Sequence, residues 1–199
     1  MAHQSIDAVK FLLSETDPAR LPMSTAEVAF VGRSNVGKST LLNGICRKDL
    51  AKVSATPGRT RTINVFLAGR NRWLVDLPGY GFAQGRPEEL ESWQGMIEGY
   101  LRRPTLRMIF ALVDGKTGPS ALDRQMLKWL EAEKLPWCAV VTKTDLIKTS
   151  QADAQRQSIA HALGLQGDQL AWVSSETGKG LGLLRAAISS ILGPDAPAA

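Results

Sequence analysis

Val28-Ala29-Phe30-Val31-Gly32-Arg33-Ser34-Asn35-Val36-Gly37-Lys38-Ser39-Thr40-Leu41-Leu42-Asn43 runs from an apolar stretch through a glycine-flanked turn into residues that can continue as a helix. Gly32 to Ser39 fits the G-x-x-x-x-G-K-[ST] pattern of a P-loop, and a strand before it and a helix after it are the setting that pattern needs. Gly32 and Gly37 open backbone angles that let successive N–H groups turn inward around an anion. Lys38 can reach the β- and γ-phosphates of a nucleotide, and the Ser39 hydroxyl can ligate Mg²⁺. The N-terminus of the following helix adds partial positive charge at the same point. A bare glycine turn that binds nothing is the competing reading. The filled pattern in its strand–loop–helix setting favours the anion cradle.

The wider composition sets bounds. The chain has 199 residues, 44% hydrophobic and 22% charged, as expected of one soluble domain with a full-sized core. The longest apolar runs, Met108 to Val113 and Trp137 to Val141, are strand-sized and far short of the roughly 20 residues of a membrane span. The first residues lack the basic and apolar regions of a signal peptide. Cys46 and Cys138 form no C-x-x-C pair and read as reduced, packed thiols. Together these features point to a cytoplasmic protein. The net charge is +5, yet Arg33 to Arg72 holds nine basic residues and a single acid, Asp49. Part of that charge can serve nucleotide phosphates, and the surplus suits a polyanion such as RNA. A solvated basic face without a partner is the plainer alternative.

Apolar rhythm places strands at Glu27–Val31, Thr62–Ala68, Arg72–Asp76, Arg107–Val113, Leu135–Val141 and Leu170–Val173. The Thr62–Ala68 strand is expected to have one wet face and to form a hairpin with the next. Helices are expected at Lys38–Cys46, Glu88–Arg103, from the N-cap Ser120 to Glu133, Gln151–Leu163 and Gly182–Leu192. Residues 8 to 13 read as a short strand or a helical turn. Arg47–Arg61 and Leu77–Pro87 read as loops, the second mobile, and the Ala/Pro tail as disordered. Alternating strands and helices imply an α/β fold, a mostly parallel sheet of about six strands with helices on both faces.

Four further signals follow in order. Asp76-Leu77-Pro78-Gly79 closes a strand about forty residues after the P-loop. Asp76 there can hold Mg²⁺ through water, and the Gly79 N–H can sense a γ-phosphate. Thr142-Lys143-Thr144-Asp145 closes another strand. The Asp145 carboxylate matches the adjacent N1–H and N2 amino donors of guanine, whereas adenine has no donor at N1. The Lys143 stem can lie over the base. Val173-Ser174-Ser175 can support the guanine O6 through amides and hydroxyls. In the basic loop Thr56-Pro57-Gly58-Arg59-Thr60-Arg61-Thr62, one threonine, Thr60 or Thr62, can join the Mg²⁺ shell only while a γ-phosphate is present. Four tryptophans, Trp93, Trp129, Trp137 and Trp172, read as core rather than RNA-stacking groups, Trp73 as either, and Asp114 as capping or orienting the loop after its strand.

In their order along the chain, P-loop, threonine loop, D-x-x-G, T-K-x-D and serine pair, the motifs resemble those of the Ras-like, translation-factor-related GTPases, over nearly the whole chain. Within that class Pro57-Gly58-Arg59-Thr60 and Asp76-Leu77-Pro78-Gly79-Tyr80-Gly81-Phe82-Ala83, with the P-loop and Thr142-Lys143-Thr144-Asp145, resemble the EngB (YihA/YsxC) family of bacterial ribosome-assembly GTPases. The resemblance implies a three-layer P-loop GTPase fold. Residues 27–193 would be the GTP-binding domain, residues 1–26 an extension packed on it and residues 194–199 a tail. It implies GTP and GDP as ligands, with Mg²⁺ held by Ser39, by Thr60 in preference to Thr62, and through water by Asp76. Lys38, Thr60 and Gly79 would act in hydrolysis. Thr142, Lys143, Asp145 and the Val173–Ser175 segment would hold the base. Relatives with asparagine at the place of Asn35 can use K⁺. Tyr80 stands where Ras-like enzymes place a water-orienting glutamine, so slow unassisted hydrolysis is expected. The implied role is a monomeric switch in assembly of the large ribosomal subunit, acting on its rRNA and proteins and needed for septation. An RNA-docking scaffold with GTP as structural ligand is the first rival, and an ATP-using P-loop kinase, which would lack Thr142–Asp145, the second.

Overall fold

The computed structural model describes residues 6–50, 62–80 and 87–193. Its strands are β1 (Lys10–Glu15), β2 (Ala26–Gly32), β3 (Ile63–Leu67), β4 (Arg72–Asp76), β5 (Leu106–Asp114), β6 (Trp137–Thr142) and β7 (Leu170–Trp172). Its helices are α1 (Lys38–Cys46), α2 (Pro87–Leu101), α3 (Ala121–Ala132), α4 (Ala152–Leu163) and α5 (Leu181–Leu192). The strands form one sheet in the order β1-β3-β4-β2-β5-β6-β7. β2 pairs in parallel with β4 and β5, and the parallel run continues through β6 to β7. β3 is antiparallel to both β1 and β4, which gives the expected hairpin.

The sheet buries both faces because its central strands are apolar at consecutive positions rather than alternate ones. All seven residues of β2 are buried. Phe30, Phe110, Leu112 and Val140 face a cluster closed by Leu41, Leu42 and Ile45 of α1 and by Leu184 and Ile188 of α5. On the other face, Ala29, Ile109 and Ala111 meet Ile97, Tyr100 and Leu101 of α2 and Leu127 and Leu130 of α3. Ala139 and Val141 continue that face onto Ile159 of α4. This is the three-layer α/β arrangement expected.

Residues 10–15, within the stretch read as a short strand or a helical turn, are a strand and join the sheet edge as β1, which brings the count to seven. That strand alternates weakly and leaves Phe11 and Leu12 exposed, so its pairing with β3 is not visible in its own pattern. β3 has no wet face: Ile63 and Val65 are buried on one side, and Phe66 is buried on the other, edge-on to Phe11 at 5.8 Å between ring centres. Trp73 resolves as core, 1% exposed, beneath the Arg103 guanidinium at 5.5 Å. Trp129, Trp137 and Trp172 are half-buried at the rim of the core, and the side chain of Trp93 lies outside the described residues. Cys46 is buried and its thiol is pushed up to about 11 by that burial; Cys138 is half-buried, and both are free. No helix among the described residues is long and apolar enough to cross a membrane.

At the N-terminal edge of the parallel strands lies a buried charge that composition alone does not explain. Glu27 is 0% exposed and accepts from Arg103, Tyr100, Thr105 and Ser24, with the Tyr100 hydroxyl at 2.6 Å and Arg103 Nη2 at 2.9 Å. Burial alone would raise its pKa. The bonds from Arg103, Tyr100, Thr105 and Ser24 outweigh that and leave it below the ordinary 4.5. A carboxylate depressed in the folded state contributes stability that is present above its unfolded pKa and lost as pH falls through the folded one. Glu27→Gln is therefore expected to cost about 2 kcal/mol at neutral pH, by stranding the Arg103 cation. Thermal unfolding against pH should show the variant losing less stability than the unaltered chain as pH drops below 4.5.

Candidate functional site

Five motif-bearing segments end at one edge of the sheet. β2 runs into the P-loop, β4 ends at Asp76, β5 at Asp114, β6 at Thr142, and β7 is followed by Val173-Ser174-Ser175. The order reverses at β2, whose neighbours β4 and β5 leave in opposite directions. In open parallel sheets a crevice forms outside the carboxyl ends of the strands at such a point.

The P-loop closes around a left-handed Gly37 (φ 102°), the N-cap of α1. No side chain caps this helix and no acid occupies its first turn, so its first N–H groups are open to an anion. Lys38 is 8% exposed, and its Nζ donates to the Gly32 carbonyl at 3.4 Å. Burial lowers its pKa, and the attraction of Asp76 opposes this only in part. Asp76 is 3% exposed and its pKa is raised, again by burial first, against Lys38 and the Ser39 hydroxyl. Ser39 Oγ donates to Asp76 Oδ2 at 3.2 Å. Asp76 Oδ1 is buried with no hydrogen-bond partner among the described residues. A buried cation, a buried anion with an orphaned oxygen and a bare helix N-terminus each cost free energy unless a partner compensates them. They fit an anionic ligand carrying a divalent cation, which Ser39 and Asp76 could hold.

The Thr142–Asp145 turn is locked to the P-loop. Lys143 adopts a left-handed conformation (φ 54°), as does Asn35 (φ 64°), and Lys143 Nζ donates to the Asn35 carbonyl at 2.7 Å. Such backbone states persist where surroundings impose them. The Thr142 hydroxyl lies 2.7 Å from the Val36 carbonyl and 3.2 Å from that of Val113, so this buried side chain fastens loops together. Asp145, in the turn Thr144–Leu146, is exposed and accepts from the buried Ser174 hydroxyl at 2.5 Å. Thr144 N–H donates to the Val173 carbonyl at 3.3 Å, which ties this motif to the last segment. Ser175 is half-buried beside it.

Other assigned residues contribute backbone or scaffold. The side chains of Val36, Leu77 and Val173 lie in the core and Pro78 is buried. Thr40 and Asn35 are exposed, and Ser34 N–H is taken by the Tyr80 carbonyl. Arg33 turns away from the cradle to Thr117, 3.7 Å from Asp114. Thr62 bonds Asn64 at 3.2 Å at the start of β3. Thr60, with Gly58, Arg59 and Arg61, lies outside the described residues. Of the basic segment, Arg72 is internal, bonded to the Ala68 and Gly193 carbonyls, whereas Arg47, Lys48 and Arg70 are exposed.

Asp114 does more than orient its loop. Its Oδ1 accepts from the Lys116 and Thr117 N–H groups, and its Oδ2 from Lys143 at 2.8 Å. These contacts outweigh burial and hold its pKa below the ordinary range. Its position at the end of a buried strand beside β6 was the available signal.

Against known proteins, the model of the 50S ribosome-binding GTPase family matches residues 27–143. The probable GTP-binding protein EngB of Geobacter sulfurreducens is 41% identical over 94% of this chain and 93% of its own length. That of Thermotoga petrophila is 39% identical over 96% and 98% respectively. Among solved structures, a probable EngB crystal structure covers 84% of this chain and 98% of its own, with a TM-score of 0.65 at 24% identity. The GTPase Era of Aquifex aeolicus covers 87% of this chain and 59% of its own, with a TM-score of 0.66 at 22% identity. These two carry the fold alone. With its P-loop, its DxxG strand end and its TKxD turn assembled on one sheet edge, the chain belongs to the EngB family of GTP-binding proteins, within the 50S ribosome-binding GTPases.

Proposed function

We propose that the chain is a monomeric, cytoplasmic GTP-dependent switch that hydrolyses GTP slowly and acts in assembly of the large ribosomal subunit, with a consequence for septation. Residues 27–193 form its nucleotide-binding domain, and residues 1–26 an extension whose strand β1 completes the sheet edge. The observation that carries the reading is the charge pattern of the crevice. Lys38 and Asp76 are both buried, and among the described residues Asp76 Oδ1 has no hydrogen-bond partner.

In that reading, the N–H groups of the P-loop and of the first turn of α1 hold the phosphates. Lys38 neutralises charge on the β- and γ-oxygens, which grows as the γ-phosphoryl group departs. Ser39, Thr60 and, through water, Asp76 would hold Mg²⁺, which would supply further neutralisation of the phosphate charge. The Gly79 N–H senses the γ-phosphate. Asp145, steadied by Ser174, selects guanine, and Lys143 lies over the base plane. Tyr80 donates its phenol to Asp123 at 2.8 Å and so orients no water. K⁺ at Asn35 or a ribosomal partner would then accelerate the step. Loss of the γ-phosphate would release the 48–61 loop.

The exposed Arg47, Lys48 and Arg70 support an rRNA contact. Era, a fold relative, has been solved in complex with 16S ribosomal RNA. Calorimetry on nucleotide-free protein with Mg²⁺ should show heat with GDP and GTP and none with ADP or ATP. The reverse pattern would overturn the reading. Purified protein without K⁺ or ribosomes should turn over well below about 1 s⁻¹. Sedimentation with ribosomal subunits should retain the protein with a non-hydrolysable GTP analogue and release it with GDP. Multiple-turnover phosphate release with pre-ribosomes separates the switch from a non-hydrolysing scaffold.

A further inference from the structure

Tyr80 follows the glycine of the DxxG motif, and three hydrogen bonds hold it. Its N–H donates to the Gly32 carbonyl at 3.3 Å, and its carbonyl accepts from the Ser34 N–H at 2.9 Å. Its phenol, in a side chain only 7% exposed, donates to Asp123 Oδ1 at 2.8 Å. Asp123 is 0% exposed, and its other oxygen accepts from the Ser120 N–H at 2.7 Å and hydroxyl at 2.8 Å, closing the capping box of α3. Burial, together with the neighbouring Asp123 charge, holds the phenol protonated far above its ordinary 10, so it remains a donor across the working pH range. The consequence falls on Gly79. A Cβ added there would meet Ser34 Cα and N at 3.0 Å and Lys38 Nζ at 3.1 Å, so this glycine is pressed onto the P-loop beside the phosphate-facing ammonium.

We propose that the Tyr80–Asp123 hydrogen bond is a latch that parks Gly79 on the P-loop when no γ-phosphate is present, so that binding a triphosphate works against it and binding a diphosphate does not. This deepens the nucleotide-switch reading and rests on it. Oxygens of a third phosphate must enter between Lys38 and the Gly79 N–H, which requires the glycine to move off Ser34. Tyr80, the next residue, is anchored to α3 and resists that shift. Tyr80 and Asp123 are thus positioning residues, and they carry the nucleotide state to the N-terminus of α3 across 43 positions of sequence. The latch biases the protein toward its diphosphate form by the net worth of one buried hydrogen bond, on the order of fivefold in the affinity ratio.

The test is the affinity of Tyr80→Phe for GDP and for a non-hydrolysable GTP analogue by calorimetry, with Ser120→Ala as a control that loosens the cap of α3 but leaves the phenol bond. Tyr80→Phe should raise the ratio of analogue to GDP affinity about fivefold, and Ser120→Ala should leave it within about twofold. A ratio unchanged or lowered in Tyr80→Phe overturns the latch, even if thermal stability falls. An equal rise in both variants does so too, because general loosening of α3 would then explain it. Amide hydrogen exchange on the unaltered chain gives a second readout should Tyr80→Phe misfold: the Ser34 and Tyr80 N–H groups should be protected with GDP and opened by the analogue. Equal protection in the two states overturns the latch. Failure of the unaltered chain to bind either nucleotide would overturn the switch reading and the latch together, whereas tight binding with an insensitive ratio would overturn the latch alone.

Discussion

Asp145→Asn is expected to weaken binding of GTP and GDP by on the order of 10²- to 10³-fold, and to bring the xanthine nucleotides to comparable or tighter affinity than the guanine ones. The carboxylate can accept the N1–H and the N2 amino group of guanine together, and an amide in its place turns one acceptor into a donor that faces the N2 amino group. Xanthine carries a carbonyl at that carbon, so the amide then finds an acceptor while its own oxygen still takes N1–H. Selectivity of this size arises because a polar group enclosed by the base and left unpaired costs its full desolvation. The geometry supports a fixed rather than an adaptable carboxylate: Asp145 sits in a short turn after the left-handed Lys143, and Ser174 holds one oxygen at 2.5 Å. Competition binding with GDP and XDP on both proteins checks this. An unchanged guanine preference would remove Asp145 from the base site and leave Thr142 and Lys143 as loop fasteners only.

What could be seen in the chain beforehand follows from what each residue must do locally. The P-loop needs particular residue types at fixed spacing, and α1 and β2 are regular elements with strong apolar signals, so Gly32 to Cys46 was legible almost residue by residue. Ser120 was legible as a cap because capping is a local bond, three positions long. β1 was legible only as a short strand or a turn, because an edge strand with one covered side carries little pattern; its identity rests on β3, some fifty residues away. Glu27 and Arg72 read as ordinary charges in strands, and only tertiary structure shows them buried and bonded. The same limit applied inside the site. Nothing in Thr142-Lys143-Thr144-Asp145 announces that the Thr142 hydroxyl reaches Val36, 106 positions back, or that Asp114 holds Lys143. A motif names the groups that touch a ligand and is silent on the groups that hold those groups still.

Lys38→Met should reduce affinity for both GDP and GTP by on the order of 10²- to 10³-fold, while shifting the stability of the nucleotide-free protein by no more than about 1 kcal/mol. The two halves of this expectation have different origins. In the complex, the ammonium meets the phosphate charge in a site from which most water is excluded, and truncating one partner of such a contact costs about 2 to 5 kcal/mol. In the free protein the same ammonium is a liability. Burial lowers its pKa below 10.5, so at neutral pH the folded state carries a desolvated cation whose cost is relieved only as pH rises toward that value. Methionine keeps an aliphatic stem and removes the cation, which stabilises. It also removes the charge that attracts the buried Asp76, which destabilises. These effects oppose each other, and neither approaches the loss expected in binding. The check is thermal unfolding with and without GDP: the unaltered chain should melt higher with saturating nucleotide, and Lys38→Met should melt near its nucleotide-free value in both conditions. A variant that melts much lower without nucleotide, yet keeps its GDP-induced shift, would make Lys38 a structural residue and leave the crevice without its phosphate-binding cation.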